Sequence, residues 1–183
     1  LDWLLLTKRI GNVKAMISEA LTNMDIGYSV PFAAWPWPNV WLGATVVNQA
    51  EADRDIPKLM DVPARVRFLS IEPMLGPVDL RKFMWPVHPC WPAKYDSPRE
   101  AKEAGATVTY KRQALISKAW SDRLVNWVIC GGESGPQARP INPYWVSDLR
   151  DQCLASGVPF LFKQWGGRTV TAGGCELDGL EVK

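Results

Sequence analysis

Five short apolar runs recur along this chain, and polar residues follow each of them directly. The runs are rich in β-branched and aromatic residues and occupy positions 3–6, 40–44, 66–71, 127–130 and 160–162. Runs of this length and composition are typical of strands that are buried in a parallel sheet. The sequence therefore predicts five strands, each of which ends in a polar segment.

Amphipathic segments between these runs predict helices. Asn12, Asn48 and Asn142 stand at positions typical of helix N-caps, and Glu51 completes a capping box with Asn48. Gly157 follows the third amphipathic segment, where a glycine commonly ends a helix. Strands and helices therefore alternate, which indicates a parallel sheet with right-handed crossovers.

Two architectures fit this alternation, a doubly wound open sheet and a (βα)8 barrel. In an open sheet the polar strand ends cluster near one switch point, whereas in a barrel every strand end contributes to one mouth. All five runs end in polar residues here. We therefore predict an α/β fold, namely a partial (βα)8 TIM-type barrel of about five parallel βα units.

The segment 76–123 interrupts the alternation after the third strand and carries more lysine and arginine than aspartate and glutamate. We expect a basic insertion on the side of the barrel mouth, either a lid or substrate clamp or a plain solvated elaboration. Residues 1–170 are therefore predicted to form the barrel domain, including this insertion. Residues 171–183 are predicted to form a glycine-rich tail of turns or a hairpin.

The polar residues at the strand ends are the candidate functional residues. Alternation along a strand predicts that Thr7 and Arg9 share one face of the first strand, and that Ser70 and Glu72 share one face of the third. Glu72 and Glu133 are candidate acids or bases. Mixed charge at a barrel mouth suits a polar, zwitterionic or phosphate-bearing ligand. We predict substrate contacts from Thr7, Lys8, Arg9, Asn48, Lys163 and Gln164.

We expect one cavity to gather the side chains of Thr7, Thr45, Glu72, Glu133 and Gln164. Structural alternatives stay open for three of the segments. In these alternatives Glu72 closes a structural salt bridge, 131–135 is a plain turn, and 163–165 is a packing corner. The functional interpretation of 131–135 is that its glycines let backbone amides approach a ligand closely.

Composition argues against several classes of protein. The formal net charge of +2 gives no reason to expect a polyanion as partner of the whole chain, and no apolar run approaches the roughly 20 residues of a membrane helix. The four cysteines are scattered without metal-binding spacing, which predicts no metal site and a reducing, cytoplasmic setting. His88 is the single histidine, and the prolines around it predict a loop.

The chain begins at Leu1 in a stretch that is already strand-like. We therefore expect that further barrel segments precede it in a longer protein. A barrel that lacks strands leaves open sheet edges, and such edges pair readily with other chains. Self-association is accordingly predicted for this chain.

Five motifs occur in order at the strand ends and extend over nearly the whole chain. They are Leu-Thr-Lys-Arg at 6–9, Asn-Val-Trp-Leu-Gly at 39–43, Leu-Ser-Ile-Glu-Pro-Met-Leu-Gly-Pro at 69–77, Trp-Val-Ile-Cys-Gly-Gly-Glu-Ser-Gly-Pro at 127–136 and Phe-Lys-Gln-Trp-Gly at 162–166. Together they resemble the phage-associated, radical-SAM-like family named for gene products thirty-seven and sixty-eight. The resemblance implies that the strands correspond to barrel strands three to seven, and that a three-cysteine loop upstream of Leu1 holds a 4Fe-4S cluster.

The resemblance further implies that the intact protein cleaves S-adenosylmethionine reductively to modify a polar, anionic or nucleotide-like substrate. No cofactor is expected on this chain alone, which is then inactive. Glu72 and Glu133 are the implied catalytic residues, and S-adenosylmethionine contacts are implied for Thr45, Ser70, Gly131, Gly132, Glu133 and Ser134. The alternative is a non-catalytic barrel module that binds nucleic acid or protein, which the basic insertion favours.

Overall fold

The computed structural model describes residues 1–25, 35–84, 124–169, 172–177 and 180–181. Most of the predicted insertion, positions 85–123 with His88, lies outside the described residues. The architecture below is that of the described part.

A single sheet of five parallel strands forms the centre of the molecule. Its strands lie side by side in chain order, β1-β2-β3-β4-β5. Parallel pairing joins each strand to the next, which confirms the predicted α/β fold. The strands are β1 (Trp3–Thr7), β2 (Val40–Thr45), β3 (Val66–Ile71), β4 (Trp127–Gly131) and β5 (Phe160–Gln164).

Helices alternate with the strands. They are α1 (Ile10–Asp25), α2 (Gln49–Met60), the short α3 (Arg81–Met84) and α4 (Pro143–Ser156). The predicted caps of α2 and α4 are confirmed, since Asn48 Oδ1 accepts from the Glu51 N–H at 3.0 Å and Asn142 Oδ1 accepts from the Tyr144 N–H at 2.9 Å. Gly157 ends α4 in the left-handed conformation with φ 66°.

The predicted cap of the first helix is wrong. Asn12 lies inside α1, which begins at Ile10. Thr7 Oγ1 instead accepts the Arg9 N–H at 2.9 Å just before the helix. Ile10 is buried, so the apolar face of α1 includes a residue before the predicted cap. The sequence alone did not show which side-chain oxygen acts at the helix start, because asparagine and threonine oxygens both accept hydrogen bonds from backbone N–H groups there.

The helices pack on one face of the sheet. Core residues of α1, α2 and α4 belong to one buried cluster together with alternate residues of β2 to β5. The strand members of that cluster are Leu42, Ala44, Leu69, Ile71, Val128, Cys130, Phe160 and Phe162. Sequential strand order with right-handed crossovers places helices on one side, in agreement with this cluster.

The beginning of the predicted insertion belongs to the core. Val78, Leu80 and Met84 are buried in the main cluster. Gln152 on α4 donates from Nε2 to the Val78 carbonyl at 3.0 Å and accepts the Leu80 N–H on Oε1 at 2.7 Å. Residues 76–84 therefore continue the framework of the domain.

The carboxyl-terminal segment forms the predicted hairpin. Strands β6 (Glu176–Leu177) and β7 (Leu180–Glu181) pair in antiparallel fashion. Leu177 is 2% exposed within the main cluster, and the Trp165 N–H donates to the Gly174 carbonyl at 3.0 Å. The hairpin is thereby packed against β5, one edge strand of the sheet.

The opposite edge strand is open. Trp3, Leu4, Leu5 and Leu6 of β1 are 57%, 47%, 48% and 49% exposed. Since successive side chains point to opposite sides of a strand, β1 is uncovered on both faces by the described residues.

Candidate functional site at the carboxyl edge of the sheet

The sheet face opposite the helices has an aromatic floor. Trp41, Phe68 and Trp127 lie on this face of β2, β3 and β4. The Trp127 ring centroid is 6.0 Å from that of Trp41 and 5.8 Å from that of Phe68. Gly43 makes room for the floor, because a Cβ at this position would collide with the Phe68 ring. Polar residues begin one layer further toward the carboxyl edge.

Ser70, Glu72 and Lys163 form the polar cluster of this edge. Lys163 Nζ lies 3.3 Å from Glu72 Oε1, and Ser70 Oγ donates to Glu72 Oε2 at 3.2 Å. The Glu72 side chain is 19% exposed and that of Lys163 is 57% exposed. Thr45 pairs in register with Ser70 on the same face, and both are buried. Ser70 therefore supports Glu72 from below.

Gly131 makes the Glu72–Lys163 pair possible. The two charged residues belong to β5 and to the end of β3, and β4 runs between them. A Cβ on Gly131 would lie 2.7 Å from Glu72 Oε1. The absence of a side chain at Gly131 therefore leaves room for the Glu72 carboxylate, and Lys163 Nζ meets that carboxylate at 3.3 Å.

Lys163 occupies an irregular position of its strand. Cys130 pairs with Phe162 and Gly131 pairs with Gln164, so that Lys163 is the extra residue of a register shift. Bulges of this kind change the direction of a side chain at the end of a strand. In this molecule the bulge brings a lysine to the carboxylate of Glu72.

The glycine segment after β4 is bonded to the segment after β5. The Gly132 N–H donates to the Gln164 carbonyl at 2.9 Å and the Gly167 N–H donates to the Glu133 carbonyl at 2.8 Å. A Cβ on Gly132 would collide with the Trp165 carbonyl. These glycines therefore allow close packing between two loops, which favours the structural alternative for this segment over contact of the Gly132 amide with a ligand.

Gln164 and Ser134 connect the same two loops through their side chains. Gln164 Nε2 donates to Ser134 Oγ at 2.8 Å. The neighbouring Trp165 is a packing residue, with its ring centroid 4.6 Å from that of Phe162. Its Nε1–H donates to the Glu176 carbonyl of the hairpin at 2.8 Å.

Glu133 binds Arg139 rather than the Glu72 cluster. The Nε–H and Nη2–H groups of Arg139 donate to Glu133 Oε2 and Oε1 at 2.7 and 2.8 Å, and its backbone N–H donates to Oε2 at 3.0 Å. The side-chain and backbone hydrogen bonds from Arg139 lower the pKa of Glu133 to about 2. Residues 133–139 line a cavity of about 660 Å³. Glu133 is ionised near neutral pH, and a positioning role suits it better than that of a general acid.

The expected single cavity is wrong for Thr7. Thr7 pairs in register with Ala44, a member of the helix-side cluster, whereas Thr45 and Ser70 lie on the opposite face. Paired residues of a sheet share a face, and a shift by one residue reverses the side. Counting alternation within β1 alone did not reveal which of its two faces lies on the helix side of the sheet.

The remaining predicted contacts lie in three places. Lys8 and Arg9 are exposed in the connection between β1 and α1. Asn48 caps α2 with its side-chain oxygen. Arg139 is the functional candidate that the sequence analysis missed. Its signal was a cation six residues after Glu133 in a loop with a glycine and two prolines, a pattern without periodicity.

The described cysteines do not fit an iron–sulfur cluster. Cys130 and Cys153 are buried, with their Sγ atoms 3.7 and 3.9 Å from the sulfur atoms of Met74 and Met84. Burial raises the pKa of both thiols, which opposes the thiolate that a metal needs. Within the described ranges, no group of three or more histidine, cysteine or acidic residues is placed to hold a metal ion.

The part of the chain that the structure describes contains no helix of the length and apolarity needed to cross a membrane.

These features define an α/β protein with a charged site at the carboxyl edge of a five-stranded parallel sheet. Over residues 1–182 the chain matches the family described as "Protein of unknown function (DUF5131)", and it belongs to this family. No curated protein and no solved structure matches the chain.

Proposed function

We propose that the chain forms part of a TIM-type barrel enzyme and binds the amino-acid end of S-adenosylmethionine at the Glu72–Lys163 pair. Sequential parallel strands with helices on one face support the barrel, because this arrangement curves into one when further βα units are added. Enzymes of this architecture act at the carboxyl ends of the strands, the edge where the pair lies.

The pair of opposite charges at 3.3 Å is the observation that carries the proposal. An amino-acid group carries an ammonium and a carboxylate, the same two charges in a complementary order. The Glu72 carboxylate accepts hydrogen bonds from the ligand ammonium, and the Lys163 ammonium donates hydrogen bonds to the ligand carboxylate. Such charge-assisted contacts are stronger than hydrogen bonds between neutral groups. S-adenosylmethionine carries this group and is the ligand that the sequence resemblance implies.

The residues of the site have distinct parts in this proposal. Ser70 fixes Glu72 through its hydroxyl group, and Gly131 leaves the space in which both charges face a ligand. The aromatic floor of Trp41, Phe68 and Trp127 gives the open face an apolar surface suited to the remainder of the ligand. Reductive cleavage of S-adenosylmethionine stays a prediction of the resemblance. Binding of its amino-acid group does not require an iron–sulfur cluster.

Calorimetric titration of the chain tests this proposal. The resemblance predicts that this chain alone holds no cofactor. On the present proposal, by contrast, S-adenosylmethionine and free methionine bind the chain, and 5′-methylthioadenosine, which lacks the amino-acid group, binds much more weakly. Lys163→Met removes one charge-assisted contact, worth about 1.5–3 kcal/mol, and should weaken binding by at least about tenfold. Gly131→Ala crowds Glu72 Oε1, the end of a flexible side chain that can shift, so a smaller loss of affinity than that of Lys163→Met is expected.

Lys82→Met is the matched control, because Lys82 forms an exposed ion pair with Asp53 at 2.6 Å outside the site. It should leave affinity unchanged. The proposal fails if neither amino-acid ligand binds, if 5′-methylthioadenosine binds as well as S-adenosylmethionine, or if Lys163→Met has no effect. The alternative module that binds nucleic acid or protein stays a prediction, since its basic insertion lies mostly outside the described residues.

A further inference from the structure

The loop 133–139 lines a second candidate site, which is separate from the charged pair. It follows β4 directly and lines a cavity of about 660 Å³, within the size range of small-molecule sites. Hydrogen bonds from the Gly135 N–H to the Gly167 carbonyl and from the Gly167 N–H to the Glu133 carbonyl hold the loop to the segment after β5. The wall of the cavity is therefore fixed by backbone contacts before any ligand arrives.

Arg139 is oriented within this loop. Its contacts with Glu133 use the Nε–H and one Nη2–H group. A guanidinium has five N–H donors. Three donors therefore have no acceptor among the residues that the structure describes. The side chain is 60% exposed, so these donors are accessible to a ligand.

The other polar groups of the cavity also favour a negatively charged ligand. The one acidic residue of its lining, Glu133, is already bound by Arg139. The Ser134 hydroxyl accepts from Gln164, which leaves the hydroxyl hydrogen to be donated. Gln137 adds an amide group to the lining. The lining therefore offers an anion the Ser134 hydroxyl beside the remaining donors of Arg139.

We infer that the loop 133–139 binds an oxyanion, with Arg139 as the binding residue and Glu133 as the residue that orients it. A planar guanidinium matches a phosphate or a carboxylate with two parallel hydrogen bonds, and fixing the fork in advance reduces the entropy lost on binding. Inorganic phosphate and acetate represent the two ligand classes. This inference does not depend on the Glu72–Lys163 pair.

Titration of the isotope-labelled chain with inorganic phosphate, followed by amide and Arg139 Nε–H resonances, tests the inference. Phosphate should shift the resonances of 133–139 in a saturable manner. A parallel titration with acetate assigns the ligand class, since stronger binding of phosphate indicates a phosphate-bearing ligand and stronger binding of acetate a carboxylate. If neither anion produces a saturable shift at millimolar concentration, the inference is overturned.

Arg139→Lys keeps the charge and removes the fork, and should weaken phosphate binding by at least about tenfold. Arg81→Lys is the matched control, because Arg81 makes a similar forked contact with Asp79, through Nε at 3.0 Å and Nη2 at 2.7 Å, outside the cavity. It should leave binding unchanged. Equal effects of the two variants would show a non-specific charge effect and overturn the inference. Arg139→Gln serves as a second variant if the lysine substitution disturbs the amide spectrum outside the loop.

The phosphate titrations and the S-adenosylmethionine titrations use different ligands and different variants. Failure of one ligand to bind therefore leaves the other result interpretable.

Discussion

At the scale of single residues, the charged site at the carboxyl edge of the sheet depends on a glycine, which has no side chain. Gly131 touches no other charge, yet it provides the space for Glu72 and Lys163 to meet across β4. The sequence analysis expected the glycines of 131–135 to let backbone amides approach a ligand closely. A glycine in the sequence indicates that space is needed, but not which neighbour uses it.

The Glu133–Arg139 pair gives a prediction that depends on pH. Arg139 lowers the pKa of Glu133 to about 2, from its ordinary value of 4.5. A lowered pKa means that the pair stabilises the folded loop fully above pH 4.5 and loses this contribution as the pH falls through about 2. We expect the side-chain carboxyl carbon resonance of Glu133 to titrate near pH 2 in the native chain.

Arg139→Met should return the titration of Glu133 toward 4.5, because the hydrogen bonds that lower its pKa are removed. Titration of Glu133 near its ordinary value in the native chain would contradict the observed ion pair.

Residue types at the strand ends could be predicted, whereas their partners could not. Ser70, Glu72 and Lys163 were identified from the polar segments after the strands, and the structure brings them together. Arg139 was not, because it pairs with Glu133 through a loop whose conformation has no periodic signature. Thr7 was placed on the wrong face because the register with β2, rather than alternation within β1, determines the side.

At the scale of elements, two glutamines hold residues 78–80 between α2 and α4. Gln152 bonds Val78 and Leu80 in the buried core, and Gln49 bonds both backbone groups of Asp79 in exposed surroundings. The segment that follows β3 is thereby fixed to the helices on either side. A lysine- and arginine-rich composition gave no sign of this role, because the anchoring groups lie elsewhere in the chain.

Gln152→Leu should destabilise the fold by about 2–4 kcal/mol, because it leaves the Leu80 N–H and the Val78 carbonyl buried without partners. Unfolding in urea measures this loss. Gln49→Leu removes a comparable pair of contacts, but water can replace them, and the expected loss is less than about 1 kcal/mol. Equal losses for the two variants would show that burial of the contact does not determine its contribution.

The order of strands and helices could be predicted better than their boundaries. Apolar runs located all five strands of the sheet, and capping residues located the starts of α2 and α4. The start of α1 was misplaced because Asn12 resembles a cap, whereas the helix already begins at the buried Ile10. Burial depends on the sheet, which a local pattern does not contain.

At the scale of the whole molecule, the two edges of the sheet differ. The hairpin packs against β5, whereas β1 presents four large apolar side chains that are about half exposed. Exposed apolar edge strands are sites of pairing between chains. We therefore predict that the chain self-associates through β1, and that light scattering after size exclusion shows a mass rising with concentration.

Leu5→Lys should reduce this association, since a charged side chain on an edge strand opposes pairing. Leu154→Lys is the control, because Leu154 is 56% exposed on α4 rather than at a sheet edge. A native chain that stays monomeric at all concentrations would contradict the prediction, as would equal effects of the two substitutions.

The hairpin on β5 also limits how large such an assembly can grow. If two copies pair through β1 about a twofold axis, the exposed edge strand of each copy becomes buried in the contact. At the far edge of each sheet, its own carboxyl-terminal hairpin packs against β5. Assembly then stops at a closed dimer. A sheet with only one exposed edge strand does not grow into fibres by edge pairing.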